Sequence, residues 1–287
     1  MKNSPKVSII IATKNSEQYI KKAIESVLNQ TYKNIELIIM DGGSTDNTKE
    51  VVKPYLADER VRYVYKEDKH TSEGMNNGIR VSTGKYIANL DSDDFWCNEH
   101  KLEKQVKFLE EHPDYVLIGG GMISIDETGK ELSRRLPPEK DEIIKKFMLS
   151  DCLIPHSTTV FRKDIIELVG GYNEHVGYAS EDWDLWLRVG KFGKFYNFQE
   201  YFVICLWGKQ NKTGPIKHKN LKANLGLRKK YRNDYPDFWR GFLLGLIYYF
   251  YSFFPFKQLL RPINPKIKNI FFHRQIYKKV NKNNKIL

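Results

Sequence analysis

Lys85-Tyr-Ile-Ala-Asn-Leu-Asp-Ser-Asp-Asp94 is the stretch whose reading decides the fold. Its first half is apolar enough for a strand buried on both faces, and its second half is a run of carboxylates that such a strand cannot contain. A buried strand that opens into acidic loop marks the carboxyl edge of a parallel sheet, where ligands of α/β proteins bind. Working backwards, Val7-Ser-Ile-Ile-Ile-Ala12 is another β-branched run, followed by Ile20, Ala23, Ile24, Val27 and Leu28 at helical spacing. Ile35-Glu-Leu-Ile-Ile-Met40 is a second strand, running into Asp41-Gly-Gly-Ser-Thr-Asp46, and Val51, Val52, Tyr55 and Leu56 suggest a helix after it. Val61 to Tyr65 gives a third strand and Ser72 to Val81 a helix. Strands alternating with helices in this way predict an α/β fold with a Rossmann-like, mostly parallel sheet.

Working forwards, a helix with Leu102, Val106 and Leu109 stops before Pro113. Tyr115–Gly119 and Met122–Ile125 read as two strands around a glycine cluster, with a turn at Glu127-Thr-Gly129. A helix is expected around Ile143–Met148, a strand at Thr158–Phe161, and a helix from Asp164 to Gly170-Gly171.

The chain has 287 residues, 41% of them hydrophobic, enough for a sizeable core. No uncharged apolar stretch reaches the ~18 residues of a membrane-spanning helix, and Met1–Lys6 offers no signal-peptide core, so the expected location is the cytosol. Cys97, Cys152 and Cys205 are widely spaced, which indicates neither a disulfide framework nor a zinc knuckle. The charge is uneven: the net is 47 − 35 = +12, while residues 208–287 hold 19 Lys and Arg against Asp234 and Asp237, leaving −5 for residues 1–207. The expectation is therefore a globular domain over 1–207 and a basic extension over 208–287 that meets an anionic surface. Within that extension, residues 241–256 carry no charge and are rich in aromatics, and Trp239 precedes them. A nucleic-acid ligand would have no use for such a stretch, so the expected partner is an anionic membrane surface, not nucleic acid. Ile267, Ile270, Phe271, Ile276, Tyr277 and Val280, interleaved with Lys and Arg, read as a basic amphipathic helix on that surface. The alternative for 241–256 is an ordinary helix packed on the main domain.

Three loops carry candidate chemistry. Asp91-x-Asp93 places two carboxylates where a hard divalent cation offsets their repulsion and leaves ligand positions for phosphate oxygens. Asp41-Gly-Gly-Ser-Thr-Asp46 reads either as an Asx turn with a helix cap or as a close backbone approach to a ligand. Glu181-Asp182 lies at a helix start, where negative charge is favourable in any case.

Taken in order, Val7–Asn15, Asp41–Asp46, Ser72–Gly78, Leu90–Asp94, Gly170-Gly-Tyr172 and Glu181-Asp182 resemble the motifs of the inverting glycosyltransferases of family 2, which have the GT-A fold. The resemblance covers roughly residues 5–207. It implies donor contacts from Thr13, Asn15, Asp41, Asp91 and Ser92, with Asp41 facing uracil, and Asp91 and Asp93 as ligands of Mn²⁺ or Mg²⁺. Asp182 matches the catalytic base, and Gly171, Tyr172, Glu181, Trp183 and His156 fall on the acceptor side. It also implies a single sugar transferred from a nucleotide sugar, UDP-linked, to a hydroxyl of a glycan acceptor. The basic extension points to a lipid-linked acceptor in bacterial surface polysaccharide assembly, at the inner face of the membrane. Two departures stand out: Glu73-Gly74 replaces the family's usual Asp-Ala, and Leu206–Lys212 lacks the histidine that often completes the metal site, His218 being displaced. Gln258-Leu-Leu-Arg261 is followed by Pro262 and lies outside the catalytic region, so it is not the processive-synthase signature. The alternatives are a nucleotidyltransferase, which gives Asp182 no role, and a membrane-recruited scaffold with a vestigial sugar-nucleotide site.

Overall fold

The computed structural model describes residues 4–175, 180–207 and 218–253. The expected amphipathic helix over 267–280 and the loop at 208–212 lie outside them. Strands β1 (Val7–Thr13), β2 (Ile35–Asp41), β3 (Val61–Tyr65) and β4 (Tyr86–Asn89) pair in parallel in the order β3-β2-β1-β4. Alternation of side chains along these strands feeds two cores. Val7, Ile9 and Ile11 face a layer with α1 (Ile20–Leu28), and Ile10 faces the other. Helix α1 buries Ile20, Ala23, Ile24 and Val27, as their spacing predicts. The helix expected after β2 is short, α2 (Thr48–Val52), and continues as a 3-10 turn at Lys53–Ala57 with Pro54 in its first turn.

Beyond the helix α3 (Thr71–Val81) and β4 the sheet becomes mixed. Strand β5 (Asp94–Trp96) follows the acidic loop directly, and α4 (Lys101–Glu111) covers the α1 side. The two strands expected at 115–119 and 122–125 are one, β6 (Tyr115–Ile125). Its three glycines belong inside it because the neighbours leave no room: a Cβ on Gly120 would lie 2.5 Å from Phe202, and one on Gly119 2.7 Å from Asn197. Strand β7 (Glu131–Arg135) closes a hairpin with β6. After α5 (Asp141–Phe147) a 3-10 turn, His156–Thr158, replaces the first half of the strand expected at 158–161, leaving β8 (Val160–Arg162) antiparallel to both β4 and β6. Helix α6 (Lys163–Leu168) ends at Gly170 and Gly171, with φ of +81° and +71°. Helix α7 (Glu181–Val189) and the long β9 (Lys194–Leu206) complete the layer; β9 runs parallel to β6 and holds β5 on its other edge.

Packing does not stop at residue 207. Helices α8 (His218–Lys230) and α9 (Phe238–Ser252) and the turn between them bury Leu227, Tyr231, Tyr235 and Leu244 in the same cluster as Trp183, Trp186 and Leu149. Among the described residues, no helix is long and apolar enough to cross a membrane.

Candidate active site

The loops after β1 and β2 are laced into one floor. Register pairs Thr13 with Asp41, and Gly42 N–H donates to Thr13 O at 2.9 Å. Asn15 takes the left-handed region, φ +55°, so that its Oδ1 accepts from Thr45 N–H at 2.8 Å while its own N–H donates to Ser44 Oγ at 2.9 Å. Asp41 is buried, with Oδ1 accepting from the N–H groups of Gly43 (3.0 Å) and Ser44 (2.7 Å) and Oδ2 accepting from Tyr63 OH at 2.5 Å. The Asx turn read from the sequence is therefore real, and it spends most of the carboxylate's acceptor capacity on the loop. Thr13 Oγ1 is buried with no hydrogen-bond partner among the described residues. Ser92 ties the acidic loop to this floor, sharing a hydrogen with Ser16 Oγ at 2.9 Å.

The acidic loop is fastened from the other side by the 156–158 turn. Asp91 N–H donates to Ser157 Oγ at 3.1 Å, and Ser157 Oγ–H donates to Asp94 Oδ2 at 2.6 Å. Burial pushes the Asp94 carboxyl well above the usual carboxylate range, and the Asp91 and Asp93 charges push it further. That mutual repulsion, together with a donor set of hard carboxylate oxygens, fits a divalent cation at Asp91 and Asp93. Among the described residues no group of three or more His, Cys, Asp and Glu side chains is gathered as a metal cage. Two carboxylates suffice for a cation whose other positions go to phosphate and water. Asp93 and Asp94 also face a cleft of about 350 Å³ between the start of α1 and the β6–β7 turn.

His156 connects this loop to Tyr172. Its Nδ1 lies 3.0 Å from Asp91 Oδ1 and its Nε2 2.9 Å from Tyr172 OH, which also accepts from Asn89 Nδ2 at 2.8 Å. Burial disfavours the charged imidazole, but the Asp91 charge and hydrogen bond outweigh it and the pKa is pushed up to about 9. Both ring nitrogens then carry hydrogen, and a positive charge stands among Asp91, Glu181 and Asp182. Asp182, at the start of α7, accepts from Trp183 N–H at 2.6 Å and from the Cys152 thiol at 3.6 Å. Burial raises its pKa, and the His156 charge pulls it part of the way back. Glu181 is raised by burial and by Asp182.

The remaining acceptor-side residues have structural reasons for their identity. Gly171 is the left-handed cap of α6, and a Cβ there would lie 2.5 Å from Asn76 Oδ1. Tyr172 is buried, its backbone gripped by Asn76 (N–H to Oδ1, 2.8 Å; O from Nδ2, 2.9 Å). Trp183 belongs to the core. It is buried, its indole N–H donates to Met148 O at 2.7 Å, and the Arg228 guanidinium covers its face at 4.7 Å.

Asp91, His156, Tyr172 and Asp182 thus share one end of the sheet with the Thr13–Asp41 floor. A model of glycosyl transferase family 2 matches residues 8–170, more than half of the chain. The chain belongs to glycosyltransferase family 2. EpsE of Bacillus subtilis strain 168, provisionally named a glycosyltransferase, is 38% identical over 205 residues, covering 70% of this chain and 72% of that protein. The amylovoran biosynthesis glycosyltransferase AmsE of Erwinia amylovora is 30% identical over 190 residues, 65% of this chain and 70% of its own. Among solved structures, TarS 1-349 of S. aureus in complex with UDP-GlcNAc superposes with a TM-score of 0.65 at 15% identity, over 94% of this chain and 81% of that one. The mannosyltransferase PcManGT of Pyrobaculum calidifontis, in complex with GDP-Man and Mn²⁺, gives 0.62 at 17% identity, over 86% and 70%. These likenesses establish the GT-A fold for this family 2 enzyme.

Several residues escaped the sequence reading. Asp68 sits in a slot cleared by two glycines: a Cβ on Gly42 would lie 2.3 Å from its Oδ2, and one on Gly74 2.7 Å. Gly74, one of the two departures at this motif, leaves room for that carboxylate, which an alanine there would displace. Cys152, given no role from the sequence, donates its thiol hydrogen to Asp182. Arg228, read as part of a basic tail, is buried against the domain, where its Nε donates to Leu149 O at 2.8 Å.

Proposed function

We propose that this family 2 glycosyltransferase moves one sugar, with inversion, from a UDP-linked donor to a hydroxyl of a lipid-linked glycan during surface polysaccharide assembly. The observation that carries the reading is Asp182: a half-buried carboxylate at one end of the sheet, its pKa raised, beside a histidine whose pKa is pushed up to about 9 and which also grips Asp91. The Thr13–Asp41 floor takes the nucleoside, its orphaned Thr13 hydroxyl being the polar group left to meet a ligand. Asp91 and Asp93 would hold Mn²⁺ or Mg²⁺, which supplies charge compensation for the diphosphate when bound. Asp182 takes the proton from the acceptor hydroxyl as that oxygen bonds the anomeric carbon. The bond from that carbon to the diphosphate oxygen breaks with its electron pair leaving on the diphosphate. Glu181 and His156 shape the acceptor side, His156 by orienting Asp91 and Tyr172. A polysaccharide role is supported by the name of AmsE, and UDP by the ligand in the TarS complex.

Calorimetric titration with UDP, with and without Mn²⁺, tests this. Metal-dependent binding is expected. Absence of binding to UDP, and then to GDP, dTDP and CMP, would refute a working donor site.

A further inference from the structure

Helix α9 is seated by one face only. Gly241, Leu244 and Gly245 are buried, with Gly241 so close to the 149–150 backbone that a Cβ would lie 2.3 Å from Leu149 O. The opposite face carries Trp239, Leu243, Ile247, Phe250 and Phe253, all exposed, Trp239 by 70% and Phe250 by 67%. Steps of four, four, three and three residues put these side chains on a single stripe along the helix. Scattered exposed apolar residues are ordinary, but a continuous stripe of five large ones marks an interaction surface.

We infer that this stripe is the surface by which the protein docks, lying flat, on an anionic lipid bilayer, with Trp239 and Phe250 immersed at the headgroup boundary. The stripe rests on the lipid-linked acceptor of the proposed function for its purpose, though the binding itself does not require it. Charge selects the occupant. Residues 208–287 hold 19 Lys and Arg against two acids, and the nine from Lys257 to Lys285 have no Asp or Glu among them. Lys229, exposed, lies beside the helix with its Nζ 5.4 Å from the Phe242 ring. A second copy of the chain would bring this positive field against itself, whereas anionic headgroups complement it. Length settles the orientation: fifteen residues make about 22 Å of helix, short of the ~30 Å hydrocarbon core, so α9 lies in the interface plane.

The placement brings the bilayer near the chemistry. Gly241 of α9 packs on Leu149, and Cys152, three residues further on, touches Asp182.

The test is sedimentation of the full chain with vesicles of phosphatidylcholine and phosphatidylglycerol, and with phosphatidylcholine alone, for wild type and for Leu243→Glu combined with Phe250→Glu. Both sites are exposed, so the melting temperature and UDP affinity should be unchanged. Expected is binding to the anionic vesicles and a loss of at least tenfold in the variant, since each side chain gives up its burial in lipid. Equal binding by variant and wild type would overturn the stripe while leaving a membrane-bound acceptor tenable through the basic segment. No binding by wild type would overturn both. A vesicle-free dimer that the variant dissociates would overturn the lipid assignment in favour of a second copy. Should the double variant fold poorly, tryptophan quenching by brominated lipid keeps the question open to measurement. Wild type should be quenched and Trp239→Phe much less so, and equal quenching of the two would overturn the immersion of Trp239.

Discussion

Replacing Asp184 by asparagine tests whether the C-terminal helices belong to the catalytic fold. Asp184 lies in α7, two residues after the base, and is fully buried. Its Oδ1 accepts from Lys230 Nζ at 3.1 Å and from Tyr231 OH at 2.8 Å, both reaching across from the end of α8, and its Oδ2 accepts from Arg188 Nε at 2.8 Å. Asparagine has one acceptor oxygen and turns an NH₂ toward one of these two sets of donors, so one set is lost and the negative charge is lost for both. Lys230 is half exposed and can turn into water, but Arg188 is only 19% exposed and stays behind as an uncompensated cation. Removing one partner of a buried ion pair costs about 3–5 kcal/mol, and the freedom of Lys230 favours the lower end, about 3 kcal/mol. At about 2–4 °C per kcal/mol for a chain of this size, the melting temperature should fall by about 6–12 °C. The guanidinium midpoint should fall without a change in slope. Lys230→Ala should cost under about 1 kcal/mol, as half-exposed pairs do. A shift below about 2 °C for Asp184→Asn would refute the coupling and restore a domain boundary at residue 207.

Four further outcomes follow from the site and its support. Asp182→Asn should lower kcat by about 10²–10⁴ while calorimetry shows UDP affinity within about twofold, and a loss under about tenfold would remove the base role. Because burial raises the Asp182 pKa, kcat should fall on acidification at a pH above the usual carboxylate range of about 4, and a profile flat down to pH 4 would contradict this. Asp93→Asn should weaken Mn²⁺-dependent UDP binding by at least about tenfold and leave binding in chelator almost unchanged, because a lost carboxylate matters only when a cation is there to be held. Glu36 is buried, which opposes its charge, but hydrogen bonds from Ser8 and Thr83 and the Lys6 charge hold it down at about 2. Its folded pKa being depressed, its contribution is present above pH 4.5 and lost as pH falls toward 2, so Glu36→Gln should flatten acid denaturation by up to about 3 kcal/mol.

The parallel half of the fold was legible because its signals are local. Val7–Ala12 and Ile35–Met40 are apolar at every position but one each, Ser8 and Glu36, which is the pattern of a strand buried on both faces. The far half was not, because its pairing is long-range. Asp94–Trp96 becomes a strand only where β9 offers an edge, with Trp96 opposite Val203, 107 residues later. Gly119–Gly121 looked like a break between strands and is a strand fitted around Phe202 and Asn197. Motif residues announced the site, but the residues that support them did not. Tyr63, which donates to Asp41, is indistinguishable in sequence from any strand tyrosine, and Asp68 is visible only through the glycines that make room for it. Charge counting placed Arg228 in a tail; its burial between Trp183 and Leu149 follows from tertiary packing that composition cannot report.

The basic C-terminal region therefore divides by face, not by residue number. The inner side of α8 gives up cationic side chains to the domain: Arg228 to the carbonyls of Leu149 and Ser150, Lys230 to Asp184. Buried or paired in this way, those charges are withdrawn from any external anion. Lys222, Lys229 and Arg232 remain exposed, and so does the apolar stripe of α9. The segment that contacts the 149–152 backbone on its inner side thus presents its apolar and cationic surface on the outer side. Gly241 of α9 and Arg228 of α8 pack on Leu149, and Arg228 also covers Trp183, the residue that follows Asp182. The helices proposed to meet the surface bearing the acceptor thus pack on Trp183, next in sequence to the proposed base Asp182, which would set the site of proton removal close to that surface.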